Sequence, residues 1–190
     1  MKILAMQGSP NVDGLTAKMA KQAVAGAGAA GAETELLALC ELKLGACRQC
    51  DDGWGQCRRE GTCIIDDDFD GVRQKMAAVD GIVISTPVYW GNLSEVFKSF
   101  LDRLRRCERA GPEEPRVEGK WVLGIAAAGG SGGGGPTCLI SMEQYYSHMG
   151  LRVFDHMFVT RRSADYMLKA ARAAGEAFVR YIEEQQKPAE

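Results

Sequence analysis

The feature that most constrains the fold of this chain is an alternation, repeated five times, of short apolar runs and helix-period stretches. That is the pattern of a parallel sheet covered on both faces. Ile3-Leu4-Ala5-Met6 is continuously apolar and stops at Gly8-Ser9-Pro10. The next stretch sets Leu15, Met19, Ala20, Ala23, Val24 and Ala27 on one helical stripe, and Gly31 closes it. A second strand spans 34–39, after which a cysteine-rich segment at about 45–66 interrupts the alternation. Asp66, Asp67 and Asp68 offer N-caps for a helix with Phe69, Val72, Met76 and Val79 inward. Ile82-Val83-Ile84 is a β-branched third strand ending at Thr86-Pro87. An amphipathic helix follows through Leu93, Val96, Phe97, Phe100, Leu101 and Leu104, with Asn92 and Glu95 as its capping box. Residues 111–115 break the chain, and a fourth strand at 121–128 runs into a glycine-rich loop at 129–135 and a helix from Pro136. A fifth strand at about 152–159 precedes a helix capped by Ser163, and the tail from 185 is expected to fray. Right-handed crossovers on both faces then predict a three-layer, doubly wound α/β fold: a five-stranded parallel sheet of order 2-1-3-4-5. No linker divides the 190 residues, so they are read as one domain with the cysteine-rich segment inserted.

In that order the ligand crevice lies at the carboxyl ends of strands one, three and four, in loops 8–16, 86–92 and 128–135. Loop one brings small hydroxyl and amide side chains to a helix N-terminus, which suits a phosphate; Lys18 is its nearest cation in sequence. It is no Walker loop, because Leu15-Thr16 follows Gly14, and a plain strand-to-helix connection is the alternative. Loop two carries Tyr89 and Trp90, either a wall for a flat heterocycle or core and interface aromatics. The glycines of loop three fit close backbone approach to a ligand, or a bare surface loop. The GxGxxG match at 26–31 ends a helix instead of opening one, so it is no dinucleotide fingerprint.

Cys47-x2-Cys50-x6-Cys57-x5-Cys63 is the least generic motif. Its thiols, turned by Gly53, Gly55 and Gly61, can converge on an iron–sulfur cluster or zinc, or stay reduced and empty. Cys40, Cys107 and Cys138 read as small buried hydrophobes, and His148 and His156 as surface or interface residues. Arg103, Arg105, Arg106 and Arg109 read as a solvated helix face partnered by Asp102 and Glu108. With 23 Lys+Arg against 25 Asp+Glu the net charge is −2, which argues against nucleic acid. The chain has no 18-residue apolar run and starts with no signal-like stretch, so a cytoplasmic location without membrane attachment is expected.

Gly8-Ser9-Pro10 with Gly14-Leu15-Thr16, then Thr86-Pro87-Val88-Tyr89-Trp90-Gly91, then Lys98 with Asp102-Arg103, resemble the NAD(P)H-dependent FMN reductases of the flavodoxin-like fold. More narrowly they resemble the iron–sulfur flavoproteins, over residues 1 to about 160. The resemblance implies FMN, its phosphate at Ser9, Asn11, Gly14, Leu15 and Thr16. It implies the isoalloxazine in the loop from Thr86 to Gly91, against Pro87, Val88, Tyr89 and Trp90, with Gly129 and Gly130 beside it. Family members often have Arg and Asn where this chain has Asn11 and Leu15. A [4Fe-4S] cluster on Cys47, Cys50, Cys57 and Cys63 is implied, although the family's run is tighter, with two residues where six separate Cys50 from Cys57. Also implied are a homodimer or homotetramer, NAD(P)H as hydride donor, and a quinone, nitroaromatic, other small molecule or protein as acceptor. The arginines at 103–109 are an alternative seat for the 2′-phosphate of NADPH. Two rival readings are a flavodoxin-like electron carrier with no nucleotide site and a redox- or metal-sensing protein with no turnover.

Overall fold

The computed structural model describes residues 1–109 and 116–187. Five strands, β1 (Lys2–Gln7), β2 (Glu33–Ala38), β3 (Gly81–Pro87), β4 (Trp121–Ala128) and β5 (Arg152–Thr160), pair in parallel in the order β2-β1-β3-β4-β5. The helices are α1 (Leu15–Ala29), α2 (Gln56–Glu60), α3 (Phe69–Ala77), α4 (Glu95–Arg109), α5 (Gly135–Met149) and α6 (Ala164–Gln186). β3 is buried at every position, which explains its unbroken apolar and small-residue sequence. Period-two alternation divides the inner strands between two apolar layers. Leu4, Met6, Ile82 and Ile84 pack with Phe69, Phe97, Phe100 and Tyr146 from α3, α4 and α5. Ile3, Ala5, Val83 and Ile125 pack with Met19, Ala23, Phe178 and Ile182 from α1 and α6.

α1 and α6 touch backbone to backbone. A Cβ on Gly26 would stand 1.9 Å from the Arg172 carbonyl oxygen, and one on Gly175 would stand 2.0 Å from that of Ala23. Part of the GxGxxG look-alike is therefore a helix-packing notch.

Several local expectations are corrected. β2 stops at Ala38, and Leu39 begins a single 3₁₀ turn. Asn92 does not cap α4: its backbone pairs with Tyr89 at 2.9 and 3.0 Å, closing a tight turn, and the helix starts at Glu95. Ser163 stands at the N-cap of α6, but its Oγ bonds back to Thr160 and gives the helix no side-chain cap. α6 runs to Gln186, past the expected start of fraying. The short helix α2 inside the cysteine segment carried no usable periodicity. The expected break at 111–115 and the tail at 188–190 lie outside the described residues. No helix among the described residues is long and apolar enough to cross a membrane.

Candidate functional site

The carboxyl ends of β1, β3 and β4 open into one cleft of about 410 Å³. Of the residues singled out from sequence, Ser9, Asn11, Gly14, Leu15, Thr16, Pro87, Val88, Tyr89 and Gly129 line it. Ala128, within the expected loop 128–135 but not singled out, lines it too, as do Ala127 and Arg161 from outside the expected loops. The two alanines lack any chemical signal. Arg161 directly follows β5, whose end had not been counted among the crevice loops.

At the β1 end, the loop is held open by its own bonds. Gln7 Oε1 accepts from the Ser9 amide at 2.7 Å, Ser9 Oγ from the Asn11 amide at 3.2 Å, and the Asn11 carbonyl from the Gly14 amide at 3.0 Å. Cys40 is half-exposed and donates its thiol hydrogen to the Ser9 carbonyl at 2.9 Å, so it belongs to this loop and not to the core. Gly14 is the N-cap of α1 and supplies no side chain to the first turn, which also holds no acidic residue. The partial positive charge of a helix start thus faces the cleft beside the Thr16 and Ser9 hydroxyls.

At the other end, Pro87, Val88 and Tyr89 stand beside Ala127, Ala128 and Gly129 at adjacent strand ends, forming an apolar wall. Burial, then nearby Glu95 and Cys40, push the Tyr89 phenol up, keeping it neutral. Thr86 is buried and structural: its Oγ1 accepts from the Ser94 amide at 3.0 Å and donates to the Pro87 carbonyl at 3.0 Å. Trp90, Gly91 and Gly130 do not line this cleft. Trp90 has φ +51° and a side chain fully in water, on the rim of a neighbouring hollow shared with Tyr89, Leu93, Glu95 and Lys98. The glycine-rich loop is built for contact between loops: Gly134 has φ +80°, and a Cβ there would meet the Gly91 Cα at 2.8 Å.

Cys47, Cys50, Cys57 and Cys63 are brought to one chamber, and Cys107 of α4 joins them, correcting its reading as an isolated hydrophobe. Cys138 is buried as expected. The arginines of α4 are a solvated face only at the helix end, where exposed Arg109 pairs with Glu118 at 2.9 Å. Arg103 is 1% exposed, binds Asp67 through two nitrogens at 2.7 and 2.8 Å, reaches the Gly45 carbonyl at 3.0 Å and lies over the Phe69 ring. Arg106 donates to the Gly53 carbonyl and lies over the Trp54 ring. Glu108 is buried in an ion pair with Arg73 of α3, which also donates to the Gly61 carbonyl at 2.6 Å. These arginines pin the cysteine segment and leave no 2′-phosphate seat at Arg103. His156 is likewise partly interior, stacked on buried Tyr146.

Burial opposes ionisation of Asp67, but bonds from Arg103 and from the Gly45 and Phe69 amides outweigh it and hold the carboxyl below its ordinary range. Burial pushes the Cys107 thiol up to about 12, and burial followed by neighbouring Cys50 raises Cys57. Thiolate donors suit iron–sulfur or zinc chemistry, yet the enclosed space is about 20 Å³, room for about one water. Among the described residues no three His, Cys, Asp or Glu groups stand close enough to hold a metal ion. A four-iron cluster does not fit the chamber in this arrangement.

A parallel sheet in this order with a cleft across its central strand ends defines a flavodoxin-like protein. Its architecture matches an archaeal flavodoxin at TM-score 0.65, with 14% identity, over 96% of this chain and 99% of that one. The model of the NADPH-dependent FMN reductase family matches residues 1–182, and the chain belongs to that family. Relatives include an iron–sulfur flavoprotein of Methanocaldococcus jannaschii, 33% identical over 68% of this chain and 65% of that one. An iron–sulfur flavoprotein of Methanosarcina thermophila is 31% identical over 80% of this chain and 76% of that one. The chain thus spans just under two thirds of the first relative's length. The solved NAD(P)H:quinone oxidoreductase of Methanothermobacter marburgensis superposes with TM-score 0.76 at 13% identity, over 94% of this chain and 96% of that one, a likeness of fold.

Proposed function

We propose that this chain is an FMN-dependent oxidoreductase that takes hydride from NAD(P)H and passes electrons to a second acceptor. The observation that carries the reading is the single cleft in which a helix start with neutral hydrogen-bonding side chains meets an apolar wall at two strand ends. Ser9, Asn11, Thr16 and the Leu15 amide would hold the FMN phosphate, with Gly14, whose own amide is bonded to the Asn11 carbonyl, letting it approach closely; Pro87, Val88, Tyr89 and Gly129 would flank the ring. Bound FMN supplies the hydride-accepting and electron-donating chemistry. The wall keeps water from one side of the cleft, and Tyr89 stays protonated within it. No side-chain acid or base is needed at the cleft. The fully exposed Trp90 supports a homodimeric or homotetrameric assembly in which a second copy covers it; light scattering of wild type and Trp90→Ala tests that.

Titrating purified protein with FMN and then adding NADPH or NADH anaerobically tests the central claim. Saturable binding and bleaching of the flavin band are expected; no binding, or binding without bleaching, sinks it in favour of a non-flavin protein or an electron carrier. No electron is routed through the cysteines. The relatives' name favours an iron–sulfur cluster at Cys47, Cys50, Cys57 and Cys63, and the size of the chamber opposes it. Iron, sulfide and zinc analysis after anaerobic purification decides, with about four iron atoms per chain required for a cluster.

A further inference from the structure

A flavin phosphate brings close to two negative charges, and the loop proposed to hold it has no cation to answer them. Its cleft-lining side chains, Ser9, Asn11, Leu15 and Thr16, are neutral. Lys18, the nearest cation in sequence, is exposed on α1 and does not line the cleft. Lys21 is spent on the Val12 carbonyl at 3.1 Å and Asp13 at 3.3 Å. One charged side chain does line the cleft among the described residues, and it comes from the opposite end of the chain: Arg161.

Two features fix Arg161 beside the start of α1. First, α1 and α6 both begin at the carboxyl edge of the sheet and run the same way, in backbone contact at Gly26–Arg172 and Ala23–Gly175. Carrying that register back toward their starts sets Leu15 level with Ala164. Second, the turn between β5 and α6 is tied on both sides of Arg161. The Thr160 amide donates to Ser163 Oγ at 3.0 Å, and the Arg162 amide to Thr160 Oγ1 at 3.2 Å. The backbone is therefore held while the guanidinium is exposed and makes no hydrogen bond or ion pair among the described residues. A planar, permanently charged donor left unpaired at the mouth of a neutral anion cradle suits a phosphate.

We propose that Arg161 is the counter-charge of the FMN phosphate, closing the cradle from the β5 side; this rests on the FMN reading given above. The test compares FMN with riboflavin, which lacks the phosphate, by flavin-fluorescence titration of wild type, Arg161→Gln and Arg161→Lys. Arg161→Gln should weaken FMN roughly 10- to 100-fold and leave riboflavin within about two-fold, with Arg161→Lys recovering part of the loss. Equal weakening of both ligands, or no change in either, overturns the proposal. So does unchanged FMN affinity with a selective rise in KM for NADPH over NADH, which would give Arg161 to the nucleotide's 2′-phosphate. Wild type that binds neither flavin removes the FMN reading and this inference together; wild type that binds FMN unaffected by Arg161→Gln removes the inference alone. Circular dichroism of Arg161→Gln should match wild type, because the side chain is exposed and makes no hydrogen bond or ion pair among the described residues.

Discussion

The cleft and the cysteine chamber are held by opposite means. The cleft is made of strand ends and a helix start, so the sheet itself supplies its geometry, and its side chains are neutral except Arg161. The chamber sits in a segment whose only helix is five residues long and whose backbone adopts positive φ at Gln49, Asp51 and Asp52. It takes its shape from arginines reaching across from α3 and α4. The shape of a pocket built on the fold survives substitution of individual side chains; that of one built on buried charge depends on a few.

The sharpest way to break that contrast is Arg103→Ala, which strands buried Asp67 and should cost about 3–5 kcal/mol in urea denaturation. A loss under about 1 kcal/mol would show that the segment is held by something else. The same pair sets an acid dependence. Because the Asp67 carboxyl is depressed in the fold, its contribution is complete above the ordinary carboxylate range and fades as pH falls through the depressed value. Arg103→Ala should flatten that acid limb of the stability profile. Next is Gly26→Ala, whose methyl meets backbone that cannot turn aside. It should cost about 1–3 kcal/mol and weaken FMN binding by shifting α1 against α6, while thiol alkylation stays as in wild type. Trp54→Ala should cost only about 0.5–1 kcal/mol through lost cation–π contact with Arg106, speed alkylation of Cys50 and Cys57, and leave FMN affinity unchanged. The smallest effect belongs to Trp90→Gly. Relief of a positive φ is offset by added freedom of the unfolded chain, so at protein concentrations low enough to keep the chain monomeric, stability in thermal unfolding should move by less than about 0.5 kcal/mol.

The same division explains what could be read in advance. Strand runs such as Ile82-Val83-Ile84 and stops such as Gly8-Ser9-Pro10 are local signals, and right-handed crossover turns them into a sheet order and three loops. Most of the cleft residues followed from that. Arg103 did not, because its burial is decided by Asp67, 36 residues away and on no shared periodicity. Cys107 looked bland for a similar reason: only the tertiary fold brings it to the other four thiols. Arg161 was missed because β5 closes the sheet edge, and the rule that points to central strand ends does not look one strand further. Asn92 had the spacing of a capping box, but a tighter turn with Tyr89 claimed its backbone first.

The three tryptophans fall one to a region. Trp90 stands in water on the rim of the hollow next to the cleft, Trp54 lies beneath arginines on the cysteine segment, and Trp121 meets Tyr181 edge-on at 4.8 Å at the far end of β4. Single-tryptophan versions of the protein would therefore give three separate optical reporters. Quenching of Trp90 would follow flavin arrival, Trp54 would follow opening of the thiol chamber, and Trp121 would stay silent until the sheet itself comes apart.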